Sequence, residues 1–208
     1  NEPGTTDETR IKSYRSQVGS LNYFAQFTRP DIAFATGQLC RHLHNPNENC
    51  FKALRHLNCY LAHTPQLGLV FHSSNTKKIR LEHFTDEKPP SAFESPQLLA
   101  YSDSNWGGEE CDNAKSTSAS LIYLAGALIS WGSNLQKTIA ISSADAEHVA
   151  AFEVARTVFY FRQFLQELGL KQTSATTIYE DNTACIAQSK NPVNSKKVRH
   201  MHIKYHYL

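Results

Sequence analysis

The sequence predicts an α/β protein in which a small helical bundle is followed by a mixed sheet flanked by helices. Apolar residues recur at helical spacing near the start, at Tyr14, Val18, Leu21 and Ala25. Short β-rich runs separated by glycine-containing turns occupy the middle of the chain. A long helical stripe follows, and after it a further strand and helix, which is the order expected of a mixed sheet with helices packed on it.

Each element has its own signals. Residues 1–12 are polar, contain Pro3 and Gly4 and show no apolar period, so they read as a flexible tail. The first helix runs from about residue 13 to Thr28-Arg29-Pro30, where proline disfavours helix in the residue before it. Ile32, Ala35, Leu39 and Leu43 predict a second helix, and Phe51, Leu54, Leu57 and Leu61 a third, after the Asn45-Pro46-Asn47 break. The bundle is thus expected over residues 13–66. A β-rich connection is expected over 67–96, with strands at 67–72 and 78–84 and a polar, proline-containing boundary.

The second domain is expected over 97–208. Strands are predicted at 98–102, 117–124, 127–131 and 137–142, the middle ones divided by Gly126 and by Gly132-Ser133-Asn134. A helix is predicted over 143–168, with the stripe Val154, Val158, Phe161, Leu165 and Leu168 and a stop at Gly169. A strand at 176–180, a helix at 182–189 and a basic tail complete the order.

Composition narrows the function classes. With 208 residues and 40% hydrophobic content, the chain can form one large core or two small ones. It contains no apolar run of membrane-spanning length and no signal-peptide pattern, so no membrane partner is expected. Its five cysteines are odd in number and lack C-x-x-C spacing, which argues against structural zinc and against a dense disulfide framework. The net charge of +2 is small but unevenly spread. Lys190, Lys196, Lys197, Arg199 and Lys204 lie with His200, His202 and His206 in a C-terminal segment free of acidic residues, the composition of a phosphate-contacting surface. The same pattern also fits a solvated helix face.

Three carboxylates carry the chemistry. Asp103 ends the first strand of the second domain, Glu147 lies near the start of the long helix, and Asp181 follows the strand at 176–180. Acids at strand ends and a helix start can converge, and such a cluster repels itself unless a hard cation sits between the oxygens. Two ions about 4 Å apart would hold a scissile phosphate, activate water and stabilise the leaving oxygen. The residues alone leave a plainer alternative open. Aspartate is common in turns, and Ser142-Ser143 ahead of Asp145 also reads as a helix cap, with Asp145 favouring the positive end of the helix.

Five ordered strings then carry a resemblance: Tyr101-Ser102-Asp103-Ser104-Asn105-Trp106, Lys115-Ser116-Thr117-Ser118, Ile129-Ser130-Trp131-Gly132-Ser133, Ile141-Ser142-Ser143-Ala144-Asp145-Ala146-Glu147 and Glu180-Asp181-Asn182. Together they resemble the ribonuclease H domain of copia-type LTR retrotransposon reverse transcriptases. Upstream, Val18-Gly19-Ser20-Leu21-Asn22-Tyr23 and Thr28-Arg29-Pro30-Asp31-Ile32-Ala33 resemble the thumb region of the same polymerase. The likeness runs from Ser13 onward.

The resemblance implies a ribonuclease H-like fold over 97–208 and a thumb-like bundle over 13–66. It implies Asp103, Glu147 and Asp181 as catalytic ligands of Mg2+ or Mn2+, supported by Ser143, Asp145 and Asn182. It implies an RNA–DNA hybrid or other nucleic acid as partner, contacted by Lys190, Lys196, Lys197, Arg199, His200 and Lys204. The family's domain continues past the basic histidine-rich segment into a last strand and helix with a fourth Asp ligand, which this sequence lacks. Of the two ions expected, the second is therefore expected to be weakly held. Asn105 and His202 stand where many members have Asp. The polymerase's Asp-Asp motif is absent, so no DNA synthesis is expected of this chain. The expected function is a ribonuclease H-type endonuclease cutting the RNA strand of hybrids. The alternative is a catalytically weak or inactive retrotransposon-derived fragment that binds nucleic acid or a protein partner, including as a secreted effector. Localisation stays open: cytoplasmic or nuclear for a retrotransposon product, secreted if Asn1 is a matured N-terminus.

Overall fold

The computed structural model describes residues 4–71, 97–107 and 114–190. The chain divides into two compact units at Leu69–Val70.

The first unit is built from helices α1 (Glu8–Phe27), α2 (Ala33–Cys40) and α3 (Glu48–His63), with a 3-10 turn at Pro30–Ile32. Helix α1 starts inside the segment expected to be a loose tail. Asp7 accepts hydrogen bonds from the backbone N–H groups of Thr9 and Arg10, so it caps a first turn whose side chains are solvent-exposed and give no apolar signal. The helix stops at Thr28, as the proline two residues on requires. Asn47 caps α3 by accepting from the Cys50 N–H. The second helix is shorter than its apolar spacing suggested. It ends at Cys40, and Leu43 packs against the core from the turn that follows. Tyr14, Val18, Leu21, Ala25, Ile32, Leu39, Leu54 and Leu57 are buried together. The Tyr14 hydroxyl donates to the Leu39 carbonyl at 2.9 Å, and its ring meets Phe51 edge-on at 5.3 Å.

The connection departs from expectation where it is described. Leu67–Phe71 forms no strand; Leu67, Val70 and Phe71 are exposed and find no pairing partner among the described residues. The rest of 72–96, including the strand expected at 78–84, lies outside the described residues.

The second unit is a sheet of β1 (Leu98–Asn105), β2 (Thr117–Leu124), β3 (Ala127–Leu135) and β4 (Thr177–Tyr179), in the order β3-β2-β1-β4. It is completed by α4 (Ser143–Glu167) and α5 (Thr183–Lys190). Strand β1 runs antiparallel to β2 and parallel to β4, so the architecture is the mixed α/β arrangement expected, consistent with a ribonuclease H-like fold. Ala125 (φ 51°) and Gly126 (φ 79°) both take left-handed backbone between β2 and β3, the geometry of a type I′ hairpin turn. Leu98, Ala100 and Ile122 on the sheet pack against Val154, Val158 and Leu165 of α4. The small residues Ala146, Ala150, Ala151 and Ala155 line the buried face of that helix, which lets its backbone approach the sheet.

Strand readings are corrected in three places. Strand β1 runs past the expected end at 102 to Asn105, because β2 continues to pair with it, so Asp103 sits within the strand opposite Ala119 and not at its end. Strand β3 continues through Gly132-Ser133-Asn134, which had looked like a break, because β2 supplies a hydrogen-bonded neighbour. Residues 137–142 form no strand despite the alternation of Ile139 and Ile141. The Ala140 carbonyl accepts from the Trp106 indole N–H, and the Ile141 N–H donates to Asp145, so other elements take these backbone groups and both isoleucines stay exposed.

Candidate metal centre

The β1–β4 register brings two carboxylates side by side. Tyr101 pairs with Tyr179, and the next residues but one on each strand path are Asp103 and Asp181. Both are exposed. Glu147 arrives from the second turn of α4, on the helix face that packs against the sheet, and is only 6% exposed. Its position depends on how α4 starts. Ser142 accepts from the Asp145 N–H at 3.1 Å, and Asp145 in turn accepts from the Ile141 N–H at 3.0 Å, a reciprocal cap that fixes the entry of the helix.

Asp103, Glu147 and Asp181 each offer one carboxylate oxygen, and these atoms lie within 4.8 Å of one another. The Oε2 atom of Glu147 is buried and has no hydrogen-bond partner. Burial pushes the Glu147 carboxyl up from its ordinary value near 4.5 to about 7. The Glu180 carboxylate adds to the rise, as do Asp103 and Asp181, while the nearby Ser104 hydroxyl opposes it. A buried carboxyl beside two more carboxylates is costly to ionise in the bare protein, and a hard divalent cation relieves all three charges at once. The acidic triad therefore fits a metal ion.

The supporting residues fall in distinct places. Ser143 is the first residue of α4, and Asp145 closes its cap, so neither belongs to the three-oxygen cluster. Asn182 caps α5 by accepting from the Cys185 N–H at 3.0 Å. Lys190 is exposed at the end of α5, whereas Lys196, Lys197, Arg199, His200 and Lys204 lie outside the described residues.

Sequence reasoning missed Glu180. Its carboxyl is raised by burial, and it accepts from the Ser102 hydroxyl at 2.6 Å and the Asn182 N–H at 3.2 Å. A signal existed: strand alternation puts Glu180 on the same face as Ile178, which packs on the core, so a charge there is inward-facing. Beneath the carboxylates lie Cys185, whose thiol burial raises to about 12, and the fully buried His148, with 3.9 Å between Sγ and Nδ1. Glu180 and Glu147 add to the rise at Cys185, so its thiol stays protonated.

Comparison with known proteins decides the lineage. Over 203 residues the chain is 34% identical to the retrovirus-related Pol polyprotein from transposon RE1 of Arabidopsis thaliana, which covers 98% of this chain and 12% of that protein. It is 35% identical over 195 residues to the Pol polyprotein from transposon TNT 1-94 of Nicotiana tabacum, covering 94% of the chain and 13% of that protein. The chain belongs to the copia-type retrotransposon Pol polyproteins. It spans about an eighth of the length of these relatives. It is also 33% identical over 143 residues to the secreted RxLR effector protein 161 of Plasmopara viticola, covering 69% of the chain and 87% of that protein. No protein-family model and no solved structure matches this copia-type chain. Among its described residues, no helix is long and apolar enough to cross a membrane.

Proposed function

We propose that this retrotransposon-derived chain is a ribonuclease H-type endonuclease that cuts the RNA strand of RNA–DNA hybrids, with Asp103, Glu147 and Asp181 as catalytic metal ligands. The observation that carries the reading is the convergence of one carboxylate oxygen each from Asp103, Glu147 and Asp181 within 4.8 Å of one another, with Glu147 the buried member of the three. A bound Mg2+ or Mn2+ would neutralise the scissile phosphate, lower the pKa of an attacking water and stabilise the leaving oxygen. Glu147 supplies the inner, water-shielded oxygen, while the exposed Asp103 and Asp181 supply the oxygens open to substrate. Three oxygens this close surround one ion well, so a second ion draws on fewer of them and is held more weakly. In this reading 13–66 is the thumb-like bundle, 67–96 a connection and 97–208 the nuclease domain.

The test is cleavage of a labelled hybrid in Mg2+ or Mn2+ by the full chain and by Asp103→Asn. Cleavage of the RNA strand that disappears in the variant supports the assignment. Cleavage unchanged in Asp103→Asn removes the triad from the chemistry. A second reading draws on the match to most of the secreted effector's length. There the fold persists as a nucleic-acid or protein interaction module with weak or lost catalysis, and the same assay shows hybrid binding without cutting.

Binding is expected to draw on the cationic tail. Neutralising Lys196, Lys197 and Arg199 together should weaken hybrid or duplex binding and make the salt dependence shallower by about 3 units of log–log slope, since roughly one counterion is released per phosphate contact. An unchanged slope in a salt titration removes the tail from the footprint.

A further inference from the structure

Glu180 precedes Asp181 yet contributes no oxygen to the three-residue cluster. Both of its own oxygens are committed: Oε2 accepts from the Ser102 hydroxyl at 2.6 Å, and Oε1 from the Asn182 N–H at 3.2 Å. Each donor adjoins a candidate ligand, since Ser102 precedes Asp103 and Asn182 follows Asp181. Backbone pairing between β1 and β4 stops at Tyr101 and Tyr179. One residue further on, the side-chain bond from Ser102 to Glu180 takes over the cross-link. Ser102 is 6% exposed, so this bond is shielded from competing water.

We propose that Glu180 is a positioning residue that clamps Ser102 of β1 to the turn between β4 and α5, and so sets the gap between Asp103 and Asp181 in which a divalent cation binds. The inference rests on the metal-centre reading of the triad. Direct ligation by Glu180 is the competing role. It would require the carboxylate to give up a short charge-assisted bond from Ser102, among the stronger hydrogen bonds a side chain makes. A pure charge contribution is the other competitor, and it does not depend on Ser102 at all. Side chains that orient metal ligands cost about 10–100-fold in affinity when removed, which sets the scale expected of the clamp.

The test is Mn2+ binding to the full chain, followed by the paramagnetic resonance signal of free Mn2+. Ser102→Ala keeps every carboxylate and is expected to bind Mn2+ about tenfold more weakly, with Ser102→Thr restoring the affinity because it restores the hydroxyl. Glu180→Gln is expected to lose at least as much, and the double variant Ser102→Ala/Glu180→Gln no more than Glu180→Gln alone, since both break one device. Ser102→Ala binding as tightly as the parent, or losses that multiply in the double variant, overturns the clamp. Asp103→Asn separates the two claims. If it abolishes binding while Ser102→Ala does nothing, the clamp alone fails. If the parent chain binds no Mn2+, or Asp103→Asn binds as tightly as the parent, the metal-centre reading fails and takes the clamp with it.

Discussion

Glu147→Gln is expected to lower hybrid cleavage by about a thousandfold while making the metal-free protein more stable. The loss follows from removing the inner oxygen of the cation site, where a metal contributes several kcal/mol of charge stabilisation, and ~4 kcal/mol corresponds to about three powers of ten in rate. The gain follows from the opposite side of the same arrangement. In the metal-free protein, burial and the Glu180, Asp103 and Asp181 carboxylates oppose ionisation of Glu147 and raise it from near 4.5 to about 7. A carboxyl raised in this way holds its proton more tightly folded than unfolded. Its favourable contribution is complete below the unfolded value, and it is lost as pH rises through the folded one.

The stability difference between Glu147→Gln and the parent should therefore be near zero at pH 4, grow between about 4.5 and 7 and level off above. A shift of that size is worth about 3 kcal/mol unscreened, and solvent on the open side of the cluster reduces it to about 2 kcal/mol. Thermal melting across this pH range, with chelator and then with Mn2+, checks both signs. Mn2+ should raise the melting temperature of the parent and not that of the variant. A variant less stable than the metal-free parent at pH 7.5 would falsify the account of Glu147 as a strained ligand.

Asp31→Ala is expected to destabilise the helical unit by about 2–3 kcal/mol, because it leaves the shielded Arg29 guanidinium without its counter-charge, while the exposed Asp31 side of the pair keeps water within reach. Arg29 is 6% exposed and meets Asp31 in a two-pronged ion pair, Nε to Oδ1 at 2.9 Å and Nη2 to Oδ2 at 2.8 Å. Two of its other N–H groups reach the carbonyl and the hydroxyl of Thr64 at the end of α3, at 3.0 and 2.8 Å. The Tyr60 hydroxyl completes the cage by donating to Asp31 at 2.9 Å. Removing the carboxylate leaves the guanidinium desolvated and half-satisfied. Replacing both partners with apolar residues, as in Arg29→Met/Asp31→Leu, should recover most of the loss, since an absent pair costs far less than a broken one. Denaturant unfolding followed by helical circular dichroism measures it, and a loss below about 1 kcal/mol for Asp31→Ala would show that water reaches Arg29. Acid should act in the same direction. Arg29 holds the Asp31 carboxyl below its ordinary value, so the stability it contributes is present above that value and is lost as pH falls through the lowered one.

The sequence by itself determined the order of elements and the residue types of the site. The spacing of Tyr14, Val18, Leu21 and Ala25 is a local property of one helix, and so is the Ser142 cap that opens α4. It also drew attention to Asp103, Glu147 and Asp181, but placement near strand ends and a helix start left a turn or cap role open, and the assignment as a cluster rested on the resemblance of the surrounding strings. Boundaries were less legible. The start of α1 at Glu8 depends on an exposed turn held by Asp7, and the loop at 137–142 has the alternation of a strand with its backbone groups already taken. Thr28-Arg29-Pro30 read as a helix break and as part of a family-like string, with no sign of an ion pair, although Arg29 is the centre of the bundle's ion-pair cage. The tertiary structure alone decided the β1–β4 register that sets Asp103 beside Asp181, the burial of the Glu147 oxygen, and the bond from Ser102 to Glu180. Each of these joins residues far apart in the chain, and period and propensity describe only neighbours; which strands meet, and in what register, is set by burying the apolar faces of β1 and α4 against each other.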